Sequence, residues 1–344
     1  MINNKVSNVC AGGDGVAAAE RVCAAVARAL DLASSHHVVP SSTGVIGWRL
    51  PAEALGDTIV PQAVQQGMQT ESALPAAQAI CTTDRYPKVR SQTLSNGARV
   101  VGIAKGAGMI EPNLATMLCY ILTDAKVPKA KLQSMLSDTV NGSFNSISVD
   151  GDESTSDTTV LVSSDRIDNT DLDEFQSALD TICQGLAEDL VRNGEGTGHV
   201  MRVQIDKFPG TDQQARQLGR HVVNSPLFKC AIAGNDPNIG RLAGAVGSFM
   251  GKFFMGADVS SMELTMGGQV IFQNSQFVLD GQAMEDQLSA HIAAAQYDDH
   301  SDYPPHQNCV DIGIDFQGSG KGSAVVFGSD LTAEYVAINA DYRS

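Results

Sequence analysis

Residues 105–125, KGAGMIEPNLATMLCYILTDA, place two glycines, a proline and one central hydroxyl around an otherwise apolar run. Upstream, ARVVGIAKGAG (98–108) reads as a strand that enters a glycine-rich turn. Thr116 sits between Ala115 and Met117, directly after this flexible approach. A core threonine is the ordinary reading of such a residue. The alternative is chemical, because a threonine hydroxyl becomes a nucleophile once a base takes its proton. Cleaving the chain just before Thr116 would supply that base as the new α-amine, whose reference pKa is about 7.7–8.0.

The rest of the chain mixes two periodicities. GDGVAAAERVCAAVARALDL reads as a helix capped by Asp14, with Val22, Val26 and Leu30 on one face. PKAKLQSMLSDTVNG is a helix ended by Gly142, with Pro128 suited to its first turn. LDEFQSALDTICQGLAEDLVRNGEG carries Phe175, Leu179, Cys183, Leu186 and Leu190 in helical step. TDQQARQLGRHVVNSP and PNIGRLAGAVGSFMG are further helices, and alanine-rich ESALPAAQAI is another. HVMRVQIDKF reads as a strand, and HVVP has strand-forming valines ahead of turn chemistry. From Met262 onward short strands are expected. Helices and strands do not alternate strictly, so this pattern leaves α/β and α+β open.

Composition narrows the function. The 344 residues carry a net charge of −16, which repels phosphate backbones and argues against nucleic-acid binding. No apolar window approaches the length of a membrane span, and the N-terminus lacks a secretory signal. The seven cysteines are odd in number and form no CxxC pair, so they read as free thiols rather than a disulfide framework or zinc site. A cytoplasmic location is expected. The histidines, including His36 and His37, show no metal-ligand spacing.

Two further stretches carry candidate chemistry. SSTGVIG (41–47) offers a Thr-Gly step: the Thr43 hydroxyl and a backbone N–H at Gly44 suit an oxyanion, although an ordinary turn explains the same letters. VDGDESTSDT (149–158) holds Asp150, Asp152, Glu153 and Asp157 but lacks the spacing of a calcium loop. A hydrogen-bonded turn rich in Ser and Thr is the better reading. AGGDG and GAGMI match neither nucleotide-binding glycine motif.

Seven blocks in order resemble the ornithine acetyltransferase family of arginine biosynthesis, also called glutamate N-acetyltransferase. They are STGVIG (42–47), AICTTDRYPK (79–88), GIAKGAGMIEPNLATML (102–118), FNSISVDGDESTSDT (144–158), NGEGTG (193–198), GNDPNIGRLAGAVG (234–247) and EYVAINADYRS (334–344). The resemblance spans nearly the whole chain. It implies a layered α/β sandwich of the self-processing N-terminal-nucleophile type, with two sheets between helical layers. It also implies self-cleavage between Ala115 and Thr116. The pieces would be a 1–115 α-chain part carrying the oxyanion loop and a 116–344 β-chain part, staying together as an α2β2 assembly.

By the same resemblance Thr116 is the nucleophile and Thr43 and Gly44 form the oxyanion hole. Thr82 or Thr83, Lys105, Thr116, Glu195, Asn339 and Ser344 contact substrate; the family typically ends in Thr where this chain has Ser344. The implied reaction moves the acetyl group of N2-acetylornithine to glutamate through acetyl-Thr116, with neither metal nor organic cofactor. Acetyl-CoA stays open as a further acetyl donor. In the family a sizeable segment precedes the block that INNKVSNVCAGGDG loosely matches, so a shortened N-terminus is expected. Two alternatives share the scaffold: an N-terminal-nucleophile aminopeptidase or amidase that passes the acyl group to water, and an uncleaved, non-catalytic homologue.

Overall fold

The computed structural model describes residues 1–67, 71–111, 117–278, 281–297 and 303–340. In chain order the strands are β1 (Ile2–Asn3), β2 (Ser41–Ser42), β3 (Lys88–Thr93), β4 (Arg99–Lys105), β5 (Leu118–Ala125), β6 (Ile147–Ser148), β7 (Thr158–Ile167), β8 (Val200–Phe208), β9 (Glu263–Met266), β10 (Gln269–Gln273), β11 (Gln276–Phe277), β12 (Val310–Asp315) and β13 (Gly322–Ser329). They form a seven-stranded mixed sheet in the order β11-β10-β9-β12-β8-β13-β6, a four-stranded sheet β3-β4-β5-β7, and a short parallel pair β1-β2. With its helices the chain is a layered α/β sandwich.

Alternation explains the large sheet. Along β8, Met201, Val203 and Ile205 are buried, while Arg202 and Gln204 are exposed. Parallel neighbour β12 repeats the pattern with Val310, Ile312 and Ile314 buried. The buried set meets helices Asp212–Val223 and Ile239–Phe253 in one core that includes Leu218, Val222 and Phe249. The first of these helices starts with a capping box in which Thr211 and Gln214 satisfy each other's backbone donors.

The second core lies between the four-stranded sheet and helix Leu172–Arg192. Val100, Ala104, Cys119 and Ile121 face Phe175, Leu179, Ile182, Leu186 and Leu190. Asp171 caps this helix by accepting the amides of Asp173 (2.9 Å) and Glu174 (3.2 Å). Because side chains alternate along β4, the residues between the core-facing ones point the other way. Ile103 packs there with Ala77 and Ile80, and Lys105 belongs to the same row. This two-residue period aims Lys105 away from the helix and towards the N-terminal residues.

β4 and β5 pair antiparallel from Val100↔Thr123 to Lys105↔Leu118. Strands from the 1–115 part and from the 116–344 part therefore share one hydrogen-bonded sheet.

Several local expectations need correction. Asp14 stands before helix Gly15–Ala29, but its side chain makes no cap: its backbone (φ −112°, ψ 11°) is not extended, so the carboxylate is misdirected. Pro128 precedes helix Lys129–Asn141 instead of lying in its first turn. Val38 and Val39 join no ladder; the strand there is only β2. The last third holds helix Gly281–Ala294 among its strands, and helix Pro226–Ala233 had no clear signal. Among the described residues no helix is long and apolar enough to cross a membrane.

Leu186 is fully buried against the four-stranded sheet. Leu186→Ala should cost about 2–5 kcal/mol through lost burial and a residual cavity. Denaturant titration checks this; a loss well under 1 kcal/mol would contradict the packing described.

Candidate functional site

A cavity of about 280 Å³ opens where seven distant segments meet. One wall is the end of β4, at Lys105. The chain then turns through Gly106–Ile110 and is pinned on two sides. The amides of Met109 and Ile110 donate to Asp150 (2.7 and 2.9 Å), and the Val149 amide donates to the Ile110 carbonyl (2.7 Å). On the other side Glu195 N donates to the Ala107 carbonyl at 2.8 Å. Helix Ala333–Asn339 closes the cavity: Thr332 caps it and donates its hydroxyl to the Gly196 carbonyl at 2.6 Å.

The electrostatic centre is a carboxylate. Asp84 is fully buried and accepts Lys88 Nζ at 2.6 Å, Gly106 N at 2.8 Å and Thr82 N at 3.0 Å. Burial alone would raise its pKa, but the ammonium groups of Lys88 and Lys105 and the Gly106 amide hold it below the ordinary value. Lys105 is 4% exposed. Desolvation lowers its pKa; Asp84 works against that shift while Lys88 adds to it.

Lys105 Nζ donates to Thr43 Oγ1 at 3.3 Å. A hydroxyl that accepts from an ammonium keeps its own proton for another acceptor. The amides of Thr43 and Val45 are spent on the carbonyls of Asn3 (3.1 Å) and Lys5 (3.0 Å). The Gly44 amide between them has no acceptor among the described residues. Gly44 sits at φ +126°, and a Cβ there would lie 2.2 Å from the Lys5 carbonyl carbon. Only glycine fits this turn, which leaves one hydroxyl and one amide open to a ligand.

Glu195 supplies the opposite charge. It is 7% exposed, and its Oε2 accepts Asn339 Nδ2 at 2.9 Å. A Cβ on Gly108 would sit 2.5 Å from that same oxygen, so Gly108 is what lets the carboxylate reach the cavity.

Of the residues singled out from sequence, Thr43, Gly44, Thr82, Thr83, Lys105, Glu195 and Asn339 all line this one cavity. Ala115, Thr116 and Ser344 lie outside the described residues. Met117, the residue after Thr116, is buried, and Leu118 pairs with Lys105. Sequence reasoning missed Asp84 and Lys88, a charge pair at i, i+4 inside the TTDRYPK block. It also missed Ser154, Thr155 and Ser156, which line the cavity from the hydroxyl-rich loop.

Asp157 closes that loop. The next residue's amide, Thr158 N, donates to the Met117 carbonyl at 2.9 Å. Both Asp157 carboxyl oxygens are buried without a hydrogen-bond partner of normal geometry among the described residues. Burial pushes its pKa up to about 8, against the opposing pull of the Met117 amide and the Lys105 charge.

Taken together, fold and cavity describe an α/β sandwich protein with a small pocket bearing one cation and one carboxylate. Its size is at the low end for ligand sites and suits a metabolite more than a large cofactor. The model of the ArgJ family matches residues 1–344, and the chain belongs to that family. It is 36% identical over 348 residues to the arginine biosynthesis bifunctional protein ArgJ of Deinococcus radiodurans, covering 100% of this chain and 82% of that protein. It is 37% identical over 357 residues to the ArgJ of a Synechococcus species, with 100% and 81% covered. The crystal structure of the arginine biosynthesis bifunctional protein ArgJ from Bacillus halodurans aligns with a TM-score of 0.53 and 30% identity, over 65% of this chain and 98% of that chain.

The Asp157 shift has a pH signature. Its folded pKa is raised from the ordinary 3.8 to about 8, so the folded state binds a proton that the unfolded state has lost in that window. Asp157 therefore makes stability fall as pH rises from about 4 to about 8. Asp157→Asn should remove that slope, read as melting temperature against pH. Parallel curves for the two proteins would contradict the assignment.

Proposed function

We propose that this chain is a glutamate N-acetyltransferase of arginine biosynthesis, moving the acetyl group of N2-acetylornithine to glutamate. The observation that carries the reading is the convergence on one cavity of Lys105, the open Thr43–Gly44 donors and the Glu195–Asn339 pair. These groups answer the parts of an N-acylated diamino acid in turn. Lys105 pairs with the α-carboxylate, Glu195 with the side-chain ammonium, and Thr43 and Gly44 with the acyl oxygen.

In this reading the chain cleaves itself between Ala115 and Thr116, and the freed α-amine of Thr116 serves as base for its own hydroxyl. Thr116 Oγ attacks the acetyl carbonyl. The oxyanion of the tetrahedral intermediate takes the Thr43 O–H and the Gly44 N–H. The C–N bond breaks, the proton returns to the leaving nitrogen, and ornithine departs. Glutamate's amine then attacks the acetyl-Thr116 ester, releasing N-acetylglutamate and restoring the hydroxyl. The chemistry calls for no metal or organic cofactor, and acetyl-CoA stays open as a second donor.

Two facts support cleavage with retention of both pieces. The β4–β5 ladder joins strands on either side of residues 115 and 116, so a cut there leaves the sheet's hydrogen bonds in place. The Bacillus halodurans chain is matched over 98% of its length by 65% of this one. It is thus about two thirds as long, close to the 229 residues that follow Ala115. Pairing of two such cleaved units as α2β2 completes the proposal.

Denaturing mass spectrometry should find fragments of 115 and 229 residues in the wild type and one uncut chain in Thr116→Ala. A single uncut species in both would remove the amine base and the mechanism with it. Glu195→Gln should weaken use of acetylornithine about 10- to 100-fold, the worth of a hydrogen bond to a charged group, and weaken a neutral-side-chain analogue far less. Steady-state kinetics on both substrates decides; equal losses would contradict the role of Glu195.

A further inference from the structure

The transferase reading sets the cavity a problem of charge. Ornithine brings a side-chain ammonium and glutamate a side-chain carboxylate. Both must direct the α-nitrogen at one acyl carbon and the α-carboxylate at one cation. Their side chains therefore leave that point in similar directions. Among the described residues the cavity's charged lining is Lys105 and Glu195. Lys105 is engaged with Thr43 and the α-carboxylate. Glu195 is buried, tied to Asn339, and repels a second carboxylate. Glutamate's γ-carboxylate must find neutral donors instead.

Thr82 and Thr83 also line the cavity, but they adjoin the buried Asp84 carboxylate, to which Thr82 N donates at 3.0 Å, and a second carboxylate is repelled there. The remaining hydroxyls single out one segment. Ser7 donates its proton to the Val45 carbonyl at 2.9 Å and is spent. Thr43 is committed to the acyl oxygen. Ser154 Oγ accepts Ser156 N at 3.2 Å, which keeps its own proton available. The hydroxyls of Thr155 and Ser156 have no acceptor among the described residues. All three line the cavity. The loop that carries them is anchored at both ends: Asp150 holds the amides of Met109 and Ile110, and Thr158 N holds the Met117 carbonyl. Three free hydroxyls on a pinned loop can converge on a carboxylate at no cost in buried charge.

We propose that Ser154, Thr155 and Ser156 form the seat for the acceptor's side-chain carboxylate, opposite the Glu195 seat for the donor's ammonium. One pocket thereby accepts two amino acids of opposite side-chain charge in successive steps, without moving Glu195.

The test is equilibrium binding of glutamate, glutamine and ornithine to the purified protein, by calorimetry. In the combined variant Ser154→Ala, Thr155→Val, Ser156→Ala, the Kd for glutamate should rise about tenfold or more, as hydrogen bonds to a charged group are lost. The Kd values for ornithine and for neutral glutamine should move less than about twofold. Retained ornithine binding shows that the variant is folded; if it does not fold, the three single variants carry the test in the same direction. Glu195→Gln should show the opposite pattern, weakening ornithine and sparing glutamate. Equal changes for glutamate and ornithine, or none, would overturn the proposal. Binding does not require turnover, so absence of acetyl exchange in a wild type that binds both amino acids would overturn the transferase reading alone.

Discussion

The buried carboxylate of Asp84 is the interaction on which the cavity depends. It takes Lys88, the Gly106 amide and the Thr82 amide at once, and its field reaches Lys105. Without it two ammonium groups would be buried at the end of one sheet with no counter-charge, a costly arrangement. With it, Lys105 keeps a fixed place at the end of β4 and a hydrogen bond to Thr43. The same carboxylate sets the start of the Gly106–Ile110 turn and the position of Thr82. One side chain thus orders three walls of the pocket.

The second constraint is topological. The β4–β5 ladder runs up to the Lys105↔Leu118 pair, so the chain on both sides of residues 112–116 belongs to one sheet. The core beneath, built on Phe175, Leu179 and Leu186, holds that sheet whether or not the backbone between its strands is intact. A cut between these strands would leave the sheet held by this ladder and this core.

Much of the helical framework was legible because it is periodic. Helices Leu172–Arg192, Asp212–Val223 and Ile239–Phe253 bury regular apolar stripes. Helix Gly281–Ala294 was not legible: only Leu288 and Ile292 are buried in it, too few to make a stripe. Val38 and Val39 misled because β propensity means nothing without a neighbouring strand to pair with. The site is a different matter. Thr43, Thr82, Lys105, Glu195 and Asn339 come from five segments, and no local spacing could join them; the resemblance named them and the folded chain brings them to one cavity. Asp84 went unnoticed because an acid two residues after a threonine looks like turn chemistry. Its importance comes only from burial beside Lys88.

The central claim is that an acetyl group rests on Thr116 between two amino acids. The most direct measurement is the mass of the fragment beginning at Thr116 after incubation with N2-acetylornithine and no glutamate. The account expects one added acetyl group, located on Thr116 by fragmentation and removed when glutamate is supplied. Transfer of acetyl to glutamate at full rate with no such adduct at any time would contradict it.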